Sequence, residues 1–381
     1  MRRIPRFVWT LLSCLVCIIV TAVAGLVLMD RSASSDKYLE VIGIVENEYF
    51  KETDVSGMAD ASAKAMVAEL GDPSSYYMTG QEYEEYKLAM TNRYVGIGIA
   101  TEYSEKYGFL SVSAVTPGSP ADLAHIKVGN LISAVDTIDV SRYDPDRLLK
   151  LFQTYESKER EEDRYFTVHL LNTQGGKAEV RLKCELIYSE PVFYHIVEDT
   201  TFGYVKIVNF DDSAAVAFRS AVASLQNMGA TALILDVRDN ATGKPAEMGN
   251  VLDFLLPKGD LFLLRDRSGK ETTYSSGNDY VGLPMTVIAN QNTADAAEMF
   301  TCVMQQAGVT IVGRRTAASA LSQTIVELED GSAVRISSYE YLTPDKKSMS
   351  ELNGVMPDVS SYMIEDSDMD VQLEAAKDVL S

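Results

Sequence analysis

The 381 residues, 46% of them hydrophobic, leave room for two or three domains with packed cores. A formal net charge of −21 excludes a nucleic-acid phosphate backbone as partner and sets the body of the chain against anionic lipid surfaces. Three histidines and four scattered cysteines (Cys14, Cys17, Cys184, Cys302) give neither a disulfide framework nor a metal-ligand spacing, so no metal or cofactor is expected.

Residues 7–29 are an uncharged apolar run long enough to cross a bilayer, and Arg2, Arg3 and Arg6 precede it. The positive-inside rule makes residues 1–6 a cytoplasmic arm and puts everything beyond Asp30 outside. The expectation is a single-pass membrane protein, mostly extracytoplasmic, on a bacterial cell surface or in a periplasmic-type space. Two alternatives compete with this signal anchor. Ala22-Val23-Ala24 offers an A-x-A cleavage site inside the run, and Leu11–Cys14 loosely matches a lipoprotein cleavage box after too short an apolar stretch. An uncleaved anchor is the preferred reading.

From 38 to 90 the apolar spacing is helical, in YLEVIGIVENEYF and again in MADASAKAMVAEL, with the segment Gly71–Tyr77 (GDPSSYY) as the break. The next stretch, 91–188, opens with Tyr94-Val95-Gly96-Ile97-Gly98-Ile99. Glycines there let backbone N–H groups converge on a terminal carboxylate, and the following strand can accept an extended peptide along its edge. In VTPGSPA (115–121) and AHIKVGNLI (124–132), Pro120 opens a short helix and Gly129 turns the chain into a strand. Asp144–Tyr155 reads as a helix with Leu148, Leu149 and Phe152 on one face. Lys158–Arg164 is a charge run expected at a solvated hairpin tip. Phe166–Leu171 and Ala178–Lys183 alternate as paired strands around Gln174-Gly175-Gly176, with His169 facing outward.

Beyond 190 the pattern becomes an alternation of strands and helices. Phe202–Ile207 is a strand, Ser213–Met228 an amphipathic helix, and Ala232–Arg238 a fully buried strand whose Asp236 and Arg238 could pair beneath the following loop. Val251–Leu256 and Pro284–Asn290 continue the alternation. After the strand MTVIAN comes a polar turn, QNT, then a helix from Ala294 to Gln306 with Ala297, Phe300, Val303 and Met304 on its apolar face. A second short strand, VTIV, leads into Gly313 and a loop rich in Thr, Ala and Ser. Strand, tight turn and helix is the geometry that holds a nucleophile at a helix N-terminus, where free N–H groups stabilise an oxyanion. Asp370–Leu380 reads as a terminal helix.

From about Tyr38 to the end, these motifs resemble, in order, those of the carboxyl-terminal processing (tail-specific) serine peptidases. DPSSYY resembles the family's D-P-[YH]-[ST]-x-[YF], and GIGI with the PGSPA…GNLI run resembles its bacterial PDZ domains. DVRDNATG lies over D-[LV]-R-x-N-x-G-G, and YLTP with GVMPD resembles the closing signature. The resemblance implies a multi-domain α/β protein: a crotonase-like α/β peptidase core at 190–381, an inserted PDZ domain of mixed β with two helices at 91–188, an N-terminal helical region at 38–90 and one transmembrane helix at 7–29.

The same alignment implies that the catalytic motifs are altered. Asn290 and Glu298 match N-x-G-S-A-S-A-S-E, but Asp295 falls on the nucleophilic serine. Gly313 and Thr316 match G-E-x-T-[FY]-G-K-G-x-x-Q, Ser319 falls on the lysine base, and Gln323 on the glutamine that orients it. In the oxyanion region, formed by Thr242, Gly243 and Ala296, Thr242 replaces a glycine. A carboxylate is a poor acyl-transfer nucleophile, and a hydroxyl at 319 cannot replace a desolvated amine. No lysine lies between Lys270 and Lys346, and Arg314 and Arg315 stay charged at any working pH. The expected function is a pseudopeptidase that binds protein or peptide C-termini through Val95, Gly96, Ile97, Gly98 and Ile99, alone or in a homo- or hetero-oligomer with an active paralogue. The alternative is an active serine-type endopeptidase with a rearranged site, using Thr293 or Ser319 as nucleophile and Asp295 as base.

Overall fold

The structure is a computed structural model and describes residues 37–156, 158–172, 175–319, 321–362 and 369–381. The apolar run 7–29 and its flanking arm lie outside the described residues. Among the described residues no helix is long and apolar enough to cross a membrane. The chain divides into two compact units, the boundary falling between Tyr77 and Met78.

The first unit is helical. Residues 37–48 form one helix and α1 (Val55–Ala68) a second, started by the Asp54 carboxylate, which accepts from the Gly57 N–H. The break foreseen at Gly71–Tyr77 is a turn organised by Asp72. Its carboxylate accepts from the Ser74 N–H at 3.0 Å and from the Ser75 hydroxyl at 2.5 Å.

The second unit begins with α2 (Gly80–Met90), which opens with a capping box between Thr79 and Glu82. Strand β1 (Arg93–Gly96) follows, then an antiparallel sheet of β2 (Ile99–Ser104), β3 (Phe109–Val115), β4 (Leu131–Val135), β5 (Phe166–Leu171) and β6 (Lys177–Leu182) in the order β2-β3-β4-β5-β6. Helix α3 (Pro145–Glu156) covers it, and β7 (Glu185–Tyr188) returns to pair with β1. In β5 the burial alternates with period two, Phe166, Val168 and Leu170 inward and His169 outward beside Glu179. The charge run before β5 forms a 3₁₀ turn, Glu161–Arg164, instead of a hairpin tip; Arg164 reaches back to Glu156 at 3.2 Å. Residues between Ile97 and Cys184 share a hydrophobic cluster of their own.

A second, larger cluster lies between Val192 and Val355. Here β8 (Val192–Ile196), β9 (Phe202–Ile207), α4 (Ala214–Asn227), β10 (Ala232–Asp236), α5 (Pro245–Leu255), β11 (Gly259–Asp266), β12 (Glu271–Ser276), β13 (Met285–Ala289), α6 (Asp295–Gln306), β14 (Thr310–Gly313), β15 (Leu321–Glu327), β16 (Ala333–Leu342), β17 (Val359–Ser360) and α7 (Val371–Leu380) follow in chain order. One sheet runs β8-β9-β10-β13-β14-β17, parallel except at β8. Every residue of β10 is buried, as expected of a parallel strand covered on both faces. A second set of antiparallel strands pairs β15 with β16, β16 with β11 and β11 with β12. Residues Val251–Leu255, which the alternation leaves open, are the last turns of α5.

Asp236, at the end of β10, is fully buried and needs compensation. Arg238 supplies it, with Nη2 2.6 Å from Asp236 and 2.7 Å from Asp370 at the start of α7. The Tyr204 hydroxyl adds a bond of 2.5 Å to Asp236. The pair suspected from sequence is therefore structural, tying α7 to the sheet. Removing the cation by Arg238→Met should cost about 3–5 kcal/mol, because Asp236 would stay buried and unpaired. Chemical denaturation of the two forms measures it.

Candidate functional site

The carboxyl ends of β10 and β13 meet at two loops that are stitched together. Asn290 donates its Nδ2 to Asp239 at 2.9 Å and Asn292 does so at 2.8 Å, while the Asp239 N–H donates to Asn290 Oδ1 at 3.1 Å. The Thr293 hydroxyl donates to the Val237 carbonyl at 2.9 Å and accepts from the Asn290 N–H at 3.1 Å. Thr293 is fully buried. Both functions of its hydroxyl are spent on the turn, so it cannot serve as a nucleophile in this arrangement.

The helix begins one residue later than its apolar spacing indicates, at Asp295, because Ala294 is extended and acts as the cap position. Asp295 itself sits at φ +50, a left-handed conformation uncommon for a residue with a Cβ. This sharp strand-to-helix turn is what presents a side chain at the mouth of the loops. Asp295 is 5% exposed. One carboxylate oxygen accepts from the Tyr341 hydroxyl at 3.2 Å, and the other lies 3.5 Å from Arg335 Nη2.

Arg335 is not among the residues that the local motifs single out; the cations they offer, Arg314 and Arg315, lie on the loop after β14. Arg335 comes from β16, where it stands opposite Ile325 of β15. Its guanidinium donates to Gln323 Oε1 at 2.6 Å. Gln323, which the alignment places where a glutamine orients a lysine base, accepts instead from a guanidinium of the neighbouring strand. The only available signal was Val334-Arg335-Ile336 in an otherwise ordinary strand pattern.

Ser319 is placed on the loop that Glu298 pins. The fully buried Glu298 accepts from the Thr316 hydroxyl, from the Ala318 N–H at 2.8 Å and from the Ser319 N–H at 2.5 Å. Glu298 and Thr316, both matched by alignment, are thus loop-holding residues. Gly313 precedes the loop at φ +124, and a Cβ there would lie 2.1 Å from the Ala289 carbonyl oxygen, so only glycine fits. Gly243 is similarly constrained, at φ +148 against Phe210, whose N–H donates to the Thr242 carbonyl at 3.3 Å.

Charge in this site is out of the ordinary. Burial pushes the Asp295 carboxyl up to about 7, against the opposing pull of Arg335, the Tyr341 hydroxyl and the Ala296 N–H. Burial also lifts Asp211 to about 7; Asp212 and Asp295 add to the rise, and Lys244 and Arg335 oppose it. Burial raises the Tyr341 phenol well above its usual value, so the hydroxyl keeps its proton and donates. The site can hold a proton near neutrality.

Of the residues Val95–Ile99, Ile97 and Ile99 line a separate groove of about 920 Å³ between β2 and α3, whereas Val95, Gly96 and Gly98 are not among its lining residues. Ile97 and Gly98 are buried. Gly98, at φ +82, packs its Cα against Ser119, and its carbonyl accepts from the Thr116 N–H at 2.8 Å. Gln153 of α3 donates to the Val95 carbonyl at 3.3 Å, fixing the helix beside the loop. Leu148 and Phe152 of α3 form the apolar wall.

Comparison with known proteins bears on the larger sheet region. Residues 201–361 match the model of peptidase family S41. Over 346 residues the chain is 26% identical to carboxy-terminal processing protease CtpA of Bacillus subtilis (strain 168), covering 88% of this chain and 72% of that protein. Over 312 residues it is 28% identical to the chloroplastic carboxyl-terminal-processing peptidase 3 of Arabidopsis thaliana, covering 78% of this chain and 59% of the relative. The fold is similar to that of a solved putative S41 protease from Bacteroides fragilis NCTC 9343, with a TM-score of 0.60, 17% identity and coverage of 89% of this chain and 96% of that one.

The raised Asp295 has a thermodynamic consequence whose sign is fixed. Its folded value, about 7, lies above the ordinary carboxylate value of 3.8, so between these two the folded state binds the proton more tightly. Its contribution is fully present below the unfolded value and is lost as pH rises to about 7. Asp295→Asn removes that loss, so its stability relative to the native chain should increase steadily from pH 4 to pH 7 and level off above. Denaturation midpoints across that range test this, and parallel curves would refute it.

Proposed function

We propose that this chain, whose residues 201–361 match the model of peptidase family S41, is a pseudopeptidase of the carboxyl-terminal processing kind. The observation that carries the reading is the engagement of Asp295 with Arg335 and Tyr341 at the nucleophile's place. An acyl-transfer site needs a nucleophile, a base that can accept its proton and an open oxyanion donor. Here the first is a buried carboxylate, and the cation beside it is a guanidinium that cannot give up its proton. The alternative nucleophile Thr293 is committed to the Val237 carbonyl.

In this reading the binding function rests in the 91–188 segment, as a PDZ domain. Its support is the separate hydrophobic cluster, the end strand β2 beside α3, and the glycine-containing loop whose Ile97 lines the groove. A protein C-terminus would add to the free edge of β2 as a further strand, with its carboxylate at the 95–99 loop and its last side chain on Leu148 and Phe152. The apolar run 7–29, behind three arginines, would hold this body at the outer face of a membrane.

The test is proteolysis of an unfolded protein with an apolar C-terminus by the full chain, read by mass spectrometry. No cleavage is expected. Asp295→Ser alone should also stay inactive, because position 335 still carries a guanidinium. Cleavage by the native chain that disappears in Ser319→Ala or Thr293→Ala would overturn the reading.

A further inference from the structure

The groove between β2 and α3 has a charge pattern that says which C-termini suit it. Its floor is apolar, with Ile97, Leu148 and Phe152 buried along it. Its charged lining residues are Asp146, Glu185 and Glu190, all acidic and all exposed. The neighbouring Arg147 is absent from the lining; its guanidinium is stacked over the Tyr143 ring at 4.0 Å. No described residue that lines the groove carries a positive charge.

The acids are also spaced along the groove. Gln153 marks the loop end, since it donates to the Val95 carbonyl. Asp146 lies seven residues earlier on α3, about 10 Å away along the helix axis at ~1.5 Å per residue. An extended peptide covers that distance in about three residues. Glu185 stands opposite Gly96 in the β1–β7 pairing, at the loop end itself. A carboxylate there penalises an acidic residue close to the peptide terminus by like-charge repulsion.

We propose that the groove selects C-termini whose last residue is apolar and whose residue three places earlier is lysine or arginine, with Asp146 meeting that cation and Glu185 and Glu190 rejecting acidic tails. This rests on the C-terminus-binding reading given above and adds the specificity. Surface attraction of this kind governs choice among partners and is lost in salt. The apolar floor supplies the affinity, and the acidic rim the discrimination.

The experiment uses the full chain in nonionic detergent and fluorescent decapeptides ending in leucine that differ only at the position three residues before it, carrying Lys, Ala or Glu. Anisotropy at low salt should rank them Lys, Ala, Glu, with about a five- to tenfold span between the extremes, since one attractive and one repulsive exposed pair are being compared. The span should collapse at high salt. Asp146→Asn should bring the Lys and Ala peptides together, and Asp146→Lys should invert the order. Equal binding of all three peptides by the native chain, or a Lys preference that survives Asp146→Asn, overturns the specificity while leaving C-terminus binding in place. Failure of every peptide to bind overturns both.

Discussion

The turn from β13 into α6 is the constraint on which the site depends. Asp295 must occupy a left-handed conformation for the strand to pass directly into the helix, and its side chain meets Tyr341 and Arg335 of β16. Everything around it is arranged to hold the turn: Asn290 and Asn292 on Asp239, Thr293 on Val237, and Glu298 on the 316–319 loop. These bonds concern the shape of the turn and are indifferent to which side chain sits at 295. That is why a peptidase-like scaffold can persist while the reacting group changes.

Two buried carboxylates, one at the end of β10 and one at the start of α6, show how context decides their character. Asp236 takes a bidentate arginine, a tyrosine hydroxyl and a second acid that shares the arginine, and it serves as a rivet between β10 and α7. Asp295 has a more distant arginine at 3.5 Å and stays only partly compensated, so burial dominates and its carboxyl titrates near neutrality. The fold thus contains one acid fixed for structure and one poised on a strained turn.

The second functional region is physically separate in its packing. The cluster between Ile97 and Cys184 shares no buried members with the one between Val192 and Val355. A groove bounded by the end strand of one sheet and a helix of the same cluster can keep its binding properties whatever happens to the chemistry at Asp295. Loss of acyl transfer and retention of peptide binding are therefore compatible in one chain.

Much of this was legible in the amino acids alone. The buried strand at 232–236, the helix after QNT and the pairing of Asp236 with Arg238 all follow from local pattern and motif, because each concerns residues within a few places of one another. Arg335 could not be found that way. It lies 40 residues beyond Asp295 in a strand whose alternation gives no sign of a special position, and only the β15–β16 pairing brings its guanidinium to Gln323 and Asp295. Likewise, the engagement of Thr293 and the spacing of Asp146 from Gln153 beside Val95 exist only once loops and helix are packed. Chemistry of residue types is local and readable in order along the chain, whereas which charge compensates which is decided by tertiary distance.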